Sequence, residues 1–108
     1  MNNVSSAFYL MEKYKDRLPV IIEKNATFEL VLDNYKYLLP KKMIISEYIY
    51  MIRNKIKIKP AQALFMLIKS QNGYVLAPLT NTIEEIYNLY RDKDGFLYIT
   101  FKLENTFG

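Results

Sequence analysis

The sequence predicts an α+β fold in which helices pack on a four-stranded mixed sheet. Residues 45–56 carry isoleucines at i, i+4, i+7 and i+11, the spacing of a helix with one buried stripe. Residues 63–69 are largely apolar on both faces, as expected of a strand in the middle of a sheet. Residues 96–102 are rich in aromatic and β-branched side chains with a period close to two, which indicates a further strand. A helix that crosses one face of such a mixed sheet places the fold in the α+β class.

Composition limits the classes of function. The 108 residues include no cysteine and no histidine, which excludes a disulfide framework, a thiol nucleophile, an imidazole base and the usual zinc ligands. Acid–base chemistry by carboxylates or lysines stays possible, but we expect no enzyme activity and no cofactor. The longest apolar run, residues 63–68, is far shorter than the roughly 18 residues of a membrane span, and no signal-peptide pattern opens the chain. We expect a cytoplasmic protein that reaches a membrane only by attachment.

Positive charge is concentrated in the middle of the chain. The whole sequence has a formal charge of +4, whereas residues 36–69 contain eight basic residues against Glu47 alone. Such a concentration favours an acidic partner, which is a peptide, an anionic lipid or a nucleic acid. A solvated helix face is an equally good explanation of the same pattern.

Local signals place the first elements. Apolar residues in 7–18 follow helical spacing, with Ser6 as the N-cap, and Pro19 is expected to end this helix. Residues 19–24 and residues 35–39 are predicted strands that can pair as a wide hairpin.

The second half continues in the same way. Residues 70–79 are predicted to form a loop, with a turn at Asn72-Gly73. Thr82 and Glu85 form a capping box that begins a third helix. The right-handed crossover rule then places the first and last strands side by side and parallel, which predicts a ubiquitin-like β-grasp with one helix added at the N-terminus.

The predicted organisation is one domain spanning residues 1–108. Residues 1–18 form the added helix, residues 19–103 the β-grasp core, and residues 104–108 a flexible tail that ends in Gly108. A terminal glycine after a sheet strand presents an unhindered carboxylate that a narrow enzyme channel can accept. The residues alone leave open that the tail is an ordinary frayed chain end.

Several blocks of the chain resemble one known family. Residues 13–24, KYKDRLPVIIEK, are similar to the motif K-Y-x-D-R-(I/V)-P-V-I-x-E-K of the autophagy-related protein 8 family. This family of ubiquitin-like modifiers includes GABA-receptor-associated protein and microtubule-associated-protein light chain three. The other matching blocks, in the same order as in the family, are YLLP at 37–40, YMIRNKI at 50–56, DKDGFLY at 92–98 and ENTFG at 104–108.

The resemblance implies a function for Gly108. It would be activated by an ATP-dependent enzyme, passed to a conjugating enzyme and joined to phosphatidylethanolamine, so that the modified protein resides on the autophagosome membrane. Before conjugation a monomer is expected, and no nucleic acid partner. Two alternatives stay open. One is conjugation to a protein lysine; the other is an unconjugated binding module whose basic residues hold RNA or tubulin.

The resemblance also implies two pockets for peptides with an aromatic-x-x-aliphatic motif. The aromatic pocket would consist of Leu10, Pro19, Ile21, Lys36, Leu38 and Phe96. The aliphatic pocket would consist of Tyr37, Leu39, Pro40, Met43, Tyr48 and Met51. Arg17 would contact acidic residues of the peptide.

The chain departs from the family pattern at four places. There is room for only one helix before the first strand, and the segment 71–76 is longer than the family norm. Ile44 stands where a capping threonine is common. Asn34 stands where a basic residue is common, which should weaken attraction to acidic peptide flanks.

Overall fold

The computed structural model describes residues 3–23 and 35–105, and side chains from residue 6 onward. The elements within these residues are α1 (Asn3–Lys13), β1 (Arg17–Glu23), β2 (Lys36–Pro40), α2 (Ile45–Ile56), β3 (Gln62–Ser70), β4 (Gly73–Leu76), α3 (Ile83–Tyr90) and β5 (Leu97–Asn105). The five strands form one mixed sheet with the order β2-β1-β5-β3-β4. Strands β1 and β5 are parallel, and the other neighbours are antiparallel. The predicted α+β β-grasp is therefore confirmed.

The predicted number of four strands is wrong, because part of the predicted loop forms β4. The Asn72-Gly73 turn closes a tight hairpin between β3 and β4, and Gly73 adopts a φ of +116° that favours glycine. The Ser70 hydroxyl donates to the Gly73 carbonyl at 2.7 Å and accepts the Asn72 N–H at 3.3 Å. Val75 packs against the main core, which holds this short strand in the sheet.

The first helix is also shifted from its predicted bounds. It begins before Ser6, at Asn3, and ends at Lys13 instead of continuing to Leu18. The Arg17 N–H donates to the Tyr14 carbonyl at 3.1 Å, so that the chain turns directly after the helix. Leu18 then lies in β1 opposite Leu39, where its side chain enters the core. The proline already restricts Leu18 to extended backbone, which suits a strand.

The two faces of the sheet carry different clusters. One face, covered by α2 and α3, holds the main core, in which Ile45, Ile83, Ile99 and Phe101 are fully buried. The other face, near α1, holds a smaller cluster of Ala7, Ile21 and Phe96. Because neighbouring residues of a strand point to opposite faces, β1 and β5 contribute to both clusters. Each fully buried large apolar side chain contributes about 1.5–3 kcal/mol.

The starts of α2 and α3 are joined to each other. Ile44 and Thr82 form an isolated antiparallel bridge, in which the Ile45 N–H donates to the Asn81 carbonyl at 2.9 Å. The predicted capping box of α3 is confirmed, since the Thr82 hydroxyl accepts the Glu85 N–H at 3.2 Å. Ile44 has no side-chain acceptor, so only the reverse half of a box forms there, from the Ile44 N–H to the Glu47 carboxylate at 3.4 Å.

The last strand extends into the predicted tail. β5 continues through Asn105, which pairs with Gln62, and the Gln62 side-chain amide donates to the Asn105 side-chain oxygen at 3.0 Å. Glu104 and Asn105 are therefore strand residues, and the predicted domain limits otherwise stay a prediction. Gly108 lies outside the described residues. Within the described ranges, no helix combines the length and the apolarity that crossing a membrane requires.

Candidate functional site

Strand β2 forms one outer edge of the sheet and carries five of the twelve residues of the two predicted pockets. It pairs with β1, and no second described strand flanks it. An edge strand presents backbone N–H and C=O groups to which an extended peptide can be added as a further strand. The described part of the chain therefore has a geometry suited to strand addition at β2.

The residues of the predicted aromatic pocket lie together on the α1 face. In the β1–β2 register Pro19 is opposite Leu38 and Ile21 is opposite Lys36. Leu10 packs against the cluster that contains Ile21 and Phe96. The Lys36 ammonium lies over the Phe96 ring, 5.5 Å from its centroid. This distance fits a cation–π contact, in which the lysine side chain covers the face of the ring.

The loop before β5 holds Phe96 in a fixed position. One Asp94 carboxylate oxygen accepts the Phe96 N–H at 2.9 Å, and the other accepts the Tyr98 hydroxyl. The Asp92 N–H donates to the Phe96 carbonyl at 2.8 Å, and the Tyr87 hydroxyl donates to the Gly95 carbonyl at 2.6 Å. Burial, with the hydrogen bond to Asp94, raises the pKa of Tyr98, so its phenol stays protonated and remains a donor even at alkaline pH.

Most of the predicted aliphatic pocket lies on the opposite face of β2. Tyr37 and Leu39 alternate with Lys36 and Leu38 along the strand and face the main core. Tyr48 is 3% exposed and packs against Phe101, with ring centroids 6.0 Å apart. Burial, with a smaller effect of Tyr37, raises the pKa of Tyr48 above 10.0, which keeps it neutral.

Two residues of the aliphatic set, Met51 and Pro40, are not placed with the others. Met43 is partly buried against the same core as Tyr37, whereas Met51 is 53% exposed on α2. Pro40 ends β2 in register with Arg17, and strand alternation assigns it to the α1 face. The residues of the predicted aliphatic pocket therefore do not form a single enclosed pocket in this structure, and their role stays a prediction.

Arg17 lies beside a hollow that the sequence reasoning did not identify. Its guanidinium donates to the Leu38 carbonyl at 3.1 Å, across the β1–β2 pair. Arg17, Lys15 and Lys41 line a hollow of about 380 Å³ together with Phe8, Met11 and Glu12. Three cations against one carboxylate fit the predicted contact with acidic residues. No spacing rule would have found the hollow, because α1, β1 and the end of β2 meet only in the folded chain.

Two further residues named in the sequence predictions lie outside the described part of the chain. Gly108 and Asn34 both fall on residues that are not described, so the conjugation site stays a prediction. The described residues contain no group of three or more His, Cys, Asp or Glu side chains arranged to hold a metal ion.

Comparison with known proteins gives consistent matches. A family model described as autophagy protein Atg8, ubiquitin like, matches residues 3–108. Autophagy-related protein 8A of rice, Oryza sativa subsp. indica, is 40% identical over 100 residues, covering 92% of this chain and 81% of the relative. Autophagy-related protein 8 of Cochliobolus heterostrophus is also 40% identical over 100 residues, with the same coverage. The crystal structure of Trypanosoma brucei ATG8 superposes with a TM-score of 0.78 at 31% identity, covering 98% of this chain and 89% of that chain.

Proposed function

Because this chain belongs to the Atg8 family of ubiquitin-like autophagy proteins, we propose that it is a lipid-conjugated modifier that docks peptides at β2. The peptides carry an aromatic-x-x-aliphatic motif and come from adaptors or cargo receptors. Conjugation joins Gly108 to phosphatidylethanolamine on the autophagosome membrane. The protein has no catalytic role of its own, and the activating and conjugating enzymes of the pathway are its partners.

One geometric observation carries the peptide proposal. Side chains three positions apart in an extended strand point to opposite sides, because the side-chain period is two. A peptide strand added to β2 therefore directs its aromatic residue to one face of the sheet and its aliphatic residue to the other. Apart from Pro40 and Met51, the two predicted residue sets divide between these faces, with Ile21, Leu38 and Phe96 on one and Leu39, Tyr48 and Met43 on the other.

The aromatic side requires a small local movement. Phe96 is 0% exposed, with Lys36 above it, while Leu38 is half-buried beside them. An incoming ring can pack on Leu38, and it reaches Phe96 when the lysine stem moves aside with its ammonium still in water. Burying a large aromatic side chain contributes roughly 2–3 kcal/mol, more than the 0.2–1 kcal/mol of an exposed charge contact.

The RNA or tubulin alternative has less support in the structure. The basic residues of the middle segment do not form one surface. Lys36 and Lys69 lie over aromatic rings on the α1 face of the sheet, whereas Arg53 and Lys55 belong to α2 on the other face. The Arg53 guanidinium also donates to the Gln62 carbonyl at 2.9 Å, an internal contact. A nucleic-acid site would need these cations to converge.

A titration tests the peptide proposal. A motif peptide with acidic residues before its aromatic residue is added to ¹⁵N-labelled protein, and amide shifts are followed. We expect the largest shifts in β2, in Ile21 and in the first turn of α2. The control is the same peptide with both motif residues changed to alanine. Shifts that are equal for the two peptides, or that avoid β2, would contradict the proposal.

A further inference from the structure

The last residue of β5 is bonded to the first residue of β3. Gln62 and Asn105 lie opposite each other in the antiparallel β3–β5 register. In addition, the Gln62 side-chain amide donates to the Asn105 side-chain oxygen at 3.0 Å, and we call this bonded pair the strand-end clamp. Gly108, the proposed conjugation site, lies three positions further along the chain. Within the described ranges, the clamp is therefore the last pair of the sheet before that site.

Other hydrogen bonds fix the orientation of Gln62. Its side-chain oxygen accepts the Lys59 N–H at 3.0 Å, so the other end of the amide is the donor that faces Asn105. Its backbone N–H donates to the Lys59 carbonyl at 3.0 Å, and its backbone carbonyl accepts the Arg53 guanidinium at 2.9 Å. Gln62 is thus joined to α2 and to the connection before β3, and it forms a fixed support for the end of β5.

β5 continues beyond Leu103, the last of its described side chains that packs against the main core. Glu104 and Asn105 are exposed, and Glu104 forms an ion pair with Lys102 at 3.0 Å in which both side chains are about half exposed. An exposed ion pair contributes little to stability, and water competes for an exposed hydrogen bond. Core packing therefore gives little reason for the strand to reach Asn105, whereas a role in placing the chain that follows does.

Holding Asn105 shortens the chain between the sheet and Gly108. An extended residue spans at most about 3.6 Å, so Gly108 lies within roughly 11 Å of Asn105. If the sheet held the chain only as far as Leu103, this limit would be roughly 18 Å. The effective concentration of a tethered group falls roughly as the −3/2 power of the tether length. Lengthening the tether from about three to about five residues therefore lowers the effective concentration of the carboxylate about twofold.

We propose that Gln62 is a positioning residue for conjugation, because it holds Asn105 in the sheet and so fixes the point from which the chain leads to Gly108. The activating enzyme binds the folded domain and also receives the Gly108 carboxylate at its ATP site. A fixed starting point makes the second event more frequent once the first has occurred. Gln62 acts through Asn105, so it lowers the KM of the activating enzyme for this protein and leaves kcat unchanged. The inference rests on the proposed conjugation at Gly108.

Exchanging the two amides for carboxylates tests the clamp with little change in side-chain size. In Gln62→Glu the new carboxylate accepts the Lys59 N–H and, after the Asn105 amide rotates, an N–H of Asn105. In Asn105→Asp the new carboxylate accepts an N–H of Gln62. Each single variant therefore keeps the bond, whereas the double variant places two acceptors opposite each other with no donor between them. The double variant alone should open the clamp.

The experiment measures steady-state lipid conjugation with the activating enzyme limiting, and with conjugating enzyme, ATP and phosphatidylethanolamine liposomes in excess. The double variant should raise KM about two- to threefold at unchanged kcat, and each single variant should leave both constants unchanged. The ¹⁵N heteronuclear NOE of Glu104 and Asn105 should fall in the double variant only. The matched control is Gln71→Glu/Asn72→Asp, which makes the same exchanges at exposed positions of the β3–β4 turn and should leave KM unchanged.

Each other outcome overturns the inference. If the unchanged protein receives no lipid, the proposed conjugation is wrong and the role of Gln62 with it. If lipid is attached but the double variant keeps the original KM or the original NOE values, only the role of Gln62 is wrong.

The remaining outcomes assign the effect to another cause. An equal rise of KM in a single variant means that the enzyme contacts that side chain directly, and an equal rise in the control reflects net charge. A lower kcat places the effect in the chemical step. Urea denaturation of every variant, each changed at exposed or half-buried side chains, checks that the fold is unchanged.

Discussion

A Cβ atom built on Gly95 would lie 2.9 Å from the Cβ of Ala7, closer than two carbon atoms pack in a folded protein. Gly95 also has a φ of +87°, a backbone conformation that costs other residues about 1–2 kcal/mol. The glycine thus lets α1 approach the turn that positions Phe96, the residue at the centre of the α1-face cluster.

We expect Gly95→Ala to lower the free energy of unfolding by about 3 kcal/mol, the sum of backbone strain and overpacking. Urea denaturation of the variant and of the unchanged protein measures this difference in the free energy of unfolding. In an Ala7→Gly background the same substitution should cost about 1 kcal/mol less, because the contacting carbon has been removed. If the substitution costs the same in both backgrounds, the close approach of α1 does not contribute to the destabilisation.

The central features of the fold could be predicted because their signals are local. The buried stripe of α2 and the Thr82–Glu85 capping box depend on residues within a few positions of one another. β4 was missed because a strand of four residues between a turn and Pro78 has little signal of its own. Its extended backbone is stabilised by pairing with β3 and by Val75 in the core, both of which are tertiary contacts.

The end of α1 shows the opposite problem. The spacing of Tyr14 and Leu18 fits a helix, yet Leu18 gains more from the core, where it is 2% exposed opposite Leu39. The hollow beside Arg17 could not be predicted for the same reason. It forms where residues 8–17 meet Lys41, and no periodicity records where separate segments meet.

Alkaline pH should weaken the fold through Tyr48. Burial raises its pKa, so the folded state favours the protonated phenol more than the unfolded state does. The contribution of Tyr48 to the free energy of unfolding is therefore complete below pH 10. It declines as the pH rises above 10, at a limiting slope of about 1.4 kcal/mol per pH unit. Denaturation curves between pH 9 and 11 measure this. Tyr48→Phe should show a shallower decline over that interval, and an unchanged slope would assign the effect to other groups.

Peptide affinity at β2 should be nearly constant between pH 6 and 8. The chain has no histidine, and no other ordinary side chain titrates in that interval. Fluorescence anisotropy with a motif peptide that does not itself titrate provides the measurement. A tenfold change across the interval would reveal a strongly shifted carboxylate or lysine at the site.

Removing Gly108 should prevent conjugation without changing the stability of the fold. With activating and conjugating enzymes of the Atg8 family, ATP and liposomes that contain phosphatidylethanolamine, mass spectrometry should detect one added lipid. Deletion of Gly108 should abolish the product while the urea midpoint stays the same, because β5 ends at Asn105. Two acyl chains, at about 0.8 kcal/mol per buried CH₂, anchor the product stably. A deletion variant that still floats with the liposomes would contradict the assignment.

Leu38 and Lys36 separate apolar docking from electrostatic attraction. Leu38 is half-buried beside the aromatic cluster, and Lys36 carries the charge above Phe96. Leu38→Ala should weaken an aromatic-x-x-aliphatic peptide about tenfold, because it removes apolar surface from the ring's contact, whereas Lys36→Ala should cost about twofold. Calorimetry at low salt and in half-molar salt distinguishes the two, since salt screens an exposed charge and leaves apolar burial intact. The Leu38 effect should persist in high salt. If Lys36→Ala costs more and its effect disappears with salt, β2 is an electrostatic patch, and the RNA or tubulin alternative gains support.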